Sequence, residues 1–466
     1  METLDTNLHQ HQARLGARCF VALTFLLWSL LIATSCSNDD CDSCPSPQYA
    51  TLKEALQHIE SITKISENPD TSAMKRKEEL NYKEQYSMFF LQDLNHDDEG
   101  GDTFLQKVCI LFRGIDRPTV FVTEGYDWVG FEDISDLAVN LNANVVHVEH
   151  RNYGESYNQD NGTWKYQTFA QASADLHAVY QALKPLFKER WMSAGTSKNG
   201  ETSISYAYYY PQDMNLAAAF CSPFIVGLND ERFGNYLFNE VSTEENRNLM
   251  KQAIRKALID GENGLYKEVC KQIAASGQQA PVFNEYIFNL FDTCFQIFQY
   301  VPNDEDRKKK LQAMVADNET LVKEIWVTIE GNRDQTVYSY WVECAKEMGW
   351  PNNGYSYFAD LLEGTSFNLS EMLPDMLKPQ DRYLVTTYDG KFYENLVNNF
   401  FMTSTCPLLL YYVHDDPWTA GIPSKVGPNT KTIINPIGKH NSALNDPSLC
   451  PEDIKQEVMS YVLKYI

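Results

Sequence analysis

Between Thr119 and Gly200 short apolar runs alternate with helical sequence, and few folds satisfy that pattern. Thr119-Val120-Phe121-Val122-Thr123 and Val145-Val146-His147-Val148-Glu149 read as buried strands. Phe169 to Leu186 reads as a helix ended near Pro185, and Trp191-Met192-Ser193-Ala194 as the next strand. Strands that are apolar at nearly every position have both faces covered, which implies a mostly parallel sheet wrapped by helices. The expected class is α/β. The third run ends in Gly195-Thr196-Ser197-Lys198-Asn199-Gly200 and flows into Tyr-rich helical sequence. Such a strand-to-helix turn of small residues lifts a serine hydroxyl over the sheet edge, as a nucleophile elbow does.

A serine hydroxyl attacks only when a base removes its proton. His440 is the candidate base: it follows the strand-like Thr432-Ile433-Ile434 in a Gly-containing loop and is the only histidine after Asp416. The bland alternative is a surface-loop histidine. Asp416 would orient the imidazole and stabilise its cation. Asp415 competes for that role, but neighbours leaving a strand point in different directions, and Pro417-Trp418 fixes the backbone just after Asp416. The chain order Ser197, Asp416, His440 is that of an α/β-hydrolase. An oxyanion would need donors from the Lys198 backbone and from the turn Thr123-Glu124-Gly125-Tyr126, namely Gly125 and the Tyr126 amide. Gly125 also admits a plainer reading as a bend. Glu149 and Arg151 end a strand beside the presumed site and read either as substrate-orienting groups or as a structural ion pair with the lid or Asp175. Trp418 is a further candidate for substrate contact.

Upstream, Tyr86–Leu91 and Phe104–Phe112 read as strands joined by the acidic turn 95–102, where no glutamate closes a calcium loop. Thr51 to about Glu79 is helix-like. From about Ile225 to Phe400 the sequence is helical and aromatic, with amphipathic stretches at Glu245–Leu258, Glu268–Ala275 and Phe283–Tyr300. It reads as a cap over the site that sets substrate discrimination, with aromatic residues such as Trp326, Tyr338, Tyr340, Trp341 and Trp350, most of which read as cap core rather than pocket wall. Strand pattern resumes at Leu408–Val413, and Pro451–Ile466 closes as an amphipathic helix. The expected segments are 1–35 leader, 36–50 tether, 51–224 first part of the core, 225–400 cap and 401–466 second part of the core.

The net charge is −24, so nucleic acid, which demands a basic face, is excluded as a partner. Arg14 and Arg18 precede an apolar stretch from Phe20 to Ile32, then Ala33-Thr34-Ser35-Cys36. That run is short of a membrane span and reads as a secretory signal. The small residues before Cys36 resemble a bacterial lipobox, whose cysteine carries lipid; an ordinary signal cut near Ser35, or an uncleaved anchor, is the alternative. The expected location is the cell envelope, with the protein anchored to a bacterial membrane through lipid. Of 11 cysteines, nine remain beyond the leader and Cys36, and none has zinc-type spacing. No dinucleotide-type glycine pattern occurs, so no metal or cofactor is expected.

Glu149-His150-Arg151-Asn152-Tyr153-Gly154-Glu155-Ser156, Gln171-Ala172-Ser173-Ala174-Asp175-Leu176-His177, Gly195–Gly200, Tyr209-Tyr210-Pro211-Gln212-Asp213-Met214 and Asp416-Pro417-Trp418 together resemble the secreted serine peptidases of the S37 type. The resemblance covers about 82–228 and 403–444. It implies an α/β-hydrolase with a helical cap, Ser197 as nucleophile, Asp416 as acid and His440 as base, cutting short peptides near their N-terminus, often after proline. Asn199 stands where the family has glycine and Glu201 where it has an apolar residue. Two other readings keep the same fold: an esterase or lipase, and a catalytically silent surface-binding lipoprotein.

Overall fold

The computed structural model describes residues 49–67, 82–98, 100–127, 136–157, 164–440 and 443–466. The leader, Cys36 and nearly all of the tether lie outside the described residues, as do Cys41 and Cys44. From Ala55 to Ile466 the chain forms one unit.

Its centre is a nine-stranded sheet in the order β1-β2-β3-β5-β4-β6-β7-β8-β9. The strands are β1 Ile62–Glu67, β2 Glu84–Asp93, β3 Thr103–Phe112, β4 Thr119–Thr123, β5 Asn144–Val148, β6 Trp191–Thr196, β7 Leu216–Phe220, β8 Leu408–Val413 and β9 Thr430–Asn435. β1, β2 and β3 pair antiparallel, β3 pairs antiparallel with β5, and every pairing from β5 to β9 is parallel. This is the α/β-hydrolase strand arrangement. Side chains alternate across the sheet. Val120 and Val122 join Met192, Leu409 and Val458 in the core on one face. Phe121 meets Trp191 and Tyr206 edge-on at ring separations of 5.6 and 5.8 Å.

Helix α1, Phe169–Leu183, begins where the Thr168 side chain accepts from the Gln171 N–H; Pro185 stands just beyond its end. Helix α2, Lys198–Tyr209, follows β6 without a loop. Between β7 and β8 the chain runs through helical elements from Arg232 to Thr403, among them α3, Phe283–Tyr300, and α4, Tyr338–Glu343. Helix α5, Glu452–Val462, closes the chain.

One expectation fails here. Among the described residues the charged stretch after Thr51 is helical over Leu52–Gln57, and Ile62–Glu67 is the edge strand β1; the part of that expectation from 68 to Glu79 lies outside the described residues. No residue of β1 is buried and most are exposed, so its sequence carries little apolar pattern. Its hydrogen bonds come from β2, a partner the local sequence does not reveal.

Strand order reverses between β4 and β6: β5 lies on one side of β4 and β6 on the other. The crevice at such a switch, beyond the carboxyl ends of the strands, is where open α/β sheets hold ligands.

Candidate active site

Ser197 sits at that crevice, in the single-residue turn between β6 and α2, with φ 58° and ψ −132°. A non-glycine residue in this region stores about 1–3 kcal/mol of strain, held by its surroundings. Here the Ser197 N–H donates to the Phe220 carbonyl at 2.7 Å. Its carbonyl accepts from the Ser222 hydroxyl at 2.8 Å and from the Gly200 and Glu201 amides at 2.9 and 3.1 Å. A Cβ on Gly195 would lie 2.3 Å from the Asn199 carbonyl carbon, and one on Gly200 2.0 Å from the Ser222 hydroxyl. Only glycine lets strand and helix meet so closely at these positions.

Ser197 and His440 line one cavity of about 790 Å³. His440 Nδ1 lies 2.6 Å from Asp416 Oδ2, both buried, which leaves Nε2 as the ring nitrogen able to take a proton. Asp416 Oδ1 also accepts from the Trp418 amide at 3.2 Å. The Cys221 thiol lies within 4.8 Å of the same carboxylate, and burial with that neighbouring charge holds it well above its usual range. The His440 amide donates to the Gln299 carbonyl of α3 at 2.8 Å, and Tyr300 packs edge-on against the imidazole. Asp415 points elsewhere: it pairs with Arg307 and accepts from the Ser242 amide at 2.9 Å.

The turn after β4 differs in one respect from expectation. The Gly125 N–H donates to Asn199 Oδ1 at 2.8 Å and is not free for an oxyanion. A Cβ there would lie 2.7 Å from Lys198 Cγ, so Gly125 is required for close approach to the elbow. The Tyr126 and Lys198 N–H groups have no acceptor among the described residues; Lys198 opens α2, where the first-turn donors lack intrahelical partners. Asn199, the departure from glycine, straps the two segments together. Its amide donates to Glu124, and its carbonyl accepts from the Thr123 hydroxyl at 2.9 Å.

Glu149 and Arg151 are not brought to the cavity. Arg151 is buried, with Nε and Nη2 each 2.7 Å from Asp175 and Nη1 2.8 Å from the Tyr166 carbonyl. Glu149 accepts from the Ser156 amide and hydroxyl, both at 2.6 Å. Burial forces each charge to find a partner inside the protein, and both partners are structural. Trp418 does line the cavity, packed edge-on against Phe233 and Phe295. Tyr340, Trp341 and Trp350 are cavity wall as well, contrary to the cap-core expectation.

Among the carboxylates that line the cavity are Asp292 and Glu201, and the sequence reading names neither as a site residue. Asp292 lies in the middle of the aromatic-rich α3; it accepts from Asn332 and Gln296 at 2.8 Å each. Burial raises its pKa against those hydrogen bonds. Glu201 lies one turn beyond Ser197 and accepts from the Tyr393 hydroxyl; burial pushes its carboxyl up to about 8. An acid between Phe291 and Phe295 in the middle of an aromatic-rich helix was the available signal for Asp292.

The sequence model of the PS-10 peptidase S37 family matches residues 46–299. A prolyl tri/tetrapeptidyl aminopeptidase from Streptomyces mobaraensis is 28% identical over 246 residues, which cover 53% of this chain and 49% of that protein. The chain thus matches about half the length of that curated relative. Among solved structures, a proline iminopeptidase from Mycobacterium smegmatis overlaps 81% of this chain and 98% of its own, at 13% identity and a TM-score of 0.35. The peroxisomal alpha-beta-hydrolase Lpx1 from Saccharomyces cerevisiae overlaps 82% and 91%, at 11% identity and a TM-score of 0.36.

Proposed function

The chain belongs to the PS-10 peptidase S37 family, and from that premise we propose that it is a serine exopeptidase releasing short peptides from free N-termini. The observation that carries the reading is the 2.6 Å contact between His440 and Asp416 on the cavity into which the elbow presents Ser197. His440 takes the Ser197 proton as the oxygen attacks the scissile carbonyl, and the Tyr126 and Lys198 amides receive the oxyanion. The imidazolium then protonates the leaving amine. Water repeats the sequence on the acyl-enzyme and restores Ser197.

The cavity chemistry supports a peptide with a free amino terminus. Asp292, fixed by two amide donors, offers a carboxylate to an ammonium, and Tyr340, Trp341 and Trp350 offer apolar wall to the residues that follow. Export and lipid attachment at Cys36 complete the proposal, resting on the leader pattern alone.

The test is a peptide library read by mass spectrometry, with a fluorophosphonate label on the same protein. Wild type should release N-terminal fragments and take the label, and Ser197→Ala should do neither. Turnover that survives Ser197→Ala sinks the reading. Asp292→Asn should raise KM for free-amine peptides and leave N-blocked ester substrates unaffected. Labelled palmitate should enter the wild-type protein in cells and not Cys36→Ala.

A further inference from the structure

Gly125 and Tyr126 share one peptide plane, so the Gly125 carbonyl and the Tyr126 N–H point to opposite sides of it. Lys198 reaches back from the first position of α2, and its ammonium donates to that carbonyl. The same ammonium lies 2.8 Å from Glu343 Oε2, with side-chain exposures of 1% and 4%. Glu343 ends α4 in the insertion and immediately precedes a π-helical turn, Cys344–Met348. Such turns concentrate at functional sites. The Tyr153 hydroxyl donates to the same Glu343 oxygen at 2.8 Å, and the Tyr126 and Tyr153 rings stand 5.4 and 5.1 Å from the ammonium. His150 lies 3.6 Å from the other Glu343 oxygen. Burial, then the Lys198 charge, holds its pKa well below the usual histidine range, so it stays neutral and leaves Glu343 to Lys198.

Buried ion pairs are often no more stabilising than apolar side chains of the same volume. A structural role alone therefore explains this one poorly. We propose that Lys198 is a positioning residue for the oxyanion site, and that Glu343 of the insertion holds it in place. Its backbone N–H is one donor, and its ammonium pins the peptide whose N–H is the other. A cation on a carbonyl oxygen also polarises the amide and strengthens its N–H as a donor, as hydrogen-bonded chains do. The seating of the insertion thereby sets the second donor through one carboxylate. This rests on the peptidase reading of the same site.

The test uses the full chain and a chromogenic peptide substrate. Lys198→Met should lower kcat by about 10- to 100-fold, less than outright loss of a donor, with KM nearly unchanged. Lys198→Arg should recover much of the loss relative to Met. The Lys198→Met/Glu343→Gln double variant, which leaves no unpaired buried charge, should fold and remain slow. Affinity for a peptide boronate should fall in step with kcat/KM, while affinity for the product peptide holds. Wild-type kcat in the double variant overturns the proposal, and so does a loss confined to KM. If Ser197→Ala retains turnover, the peptidase reading itself has failed. If that variant is dead while the double variant keeps wild-type kcat, this inference alone has failed.

Discussion

Glu201 gives the protein a stability that depends on pH in a definite direction. Its carboxyl is buried one turn beyond Ser197, and burial raises it to about 8 from the ordinary 4.5, although the Tyr393 hydroxyl and the Lys198 ammonium pull it down. From pH 4.5 to 8 the unfolded chain has released this proton and the folded chain still holds it. Folding stability therefore falls as pH rises across that window, by about 1.4 kcal/mol for each step of one in pH. Over the whole gap the loss is about 5 kcal/mol. Glu201→Gln removes the proton and keeps an oxygen for the Tyr393 hydroxyl. Near pH 4.5 the variant should match wild type. By pH 8.5 it should be the more stable, by up to about 5 kcal/mol. Glu347, also raised by burial, to about 7, is present in both proteins and cancels in the difference. Urea-unfolding midpoints of the pair at pH 4.5, 6, 7 and 8.5 make the measurement. Curves that stay parallel across that range would refute the argument, and a variant least stable at pH 8.5 would reverse it.

Asp416→Asn should lower kcat by about 10⁴-fold with little change in KM, because the imidazole loses its orienting charge; steady-state kinetics check this, and near-normal kcat would remove Asp416 from the mechanism. Arg151→Met should destabilise the fold by about 3–5 kcal/mol, since Asp175 is left buried without its guanidinium, while folded protein reacts normally with a fluorophosphonate. A raised KM at unchanged stability would instead return Arg151 to the substrate. Gly200→Ala places a methyl group 2.0 Å from the Ser222 hydroxyl and 2.8 Å from the Gly195 carbonyl. It should cost about 1–3 kcal/mol by overpacking and slow labelling of Ser197; wild-type unfolding and labelling would show that the turn has room to spare.

Most parts of the site that were legible in the chain share a cause. Ser197 and Asp416 each follow an apolar run, and a run buried on both faces announces itself by composition whatever surrounds it. Strands β4, β5, β6 and β8 were readable for that reason. His440 follows β9, which is only partly buried and showed through Thr432-Ile433-Ile434. β1 was not readable: with no buried residue and its hydrogen bonds supplied by β2, nothing local distinguishes it from a charged helix. The carboxylates were no more legible. Asp292 went unmarked within the aromatic α3, and the roles of Glu149 and Arg151 depended on which partner lay across the fold, of which a strand end offers several.

What this sequence determined by itself is the order of chemistry along a parallel sheet: a serine turn, then an acid, then a histidine, each at a carboxyl edge. Burial and backbone geometry impose that order locally, so it can be read residue by residue. Which groups meet is a different matter. That Asn199 occupies the Gly125 amide, that Lys198 bonds the Gly125 carbonyl, and that Glu343 approaches from more than a hundred residues away are decided by tertiary packing. A buried donor or charge must take a partner from whatever the fold places beside it, and sequence distance carries no information about that neighbour.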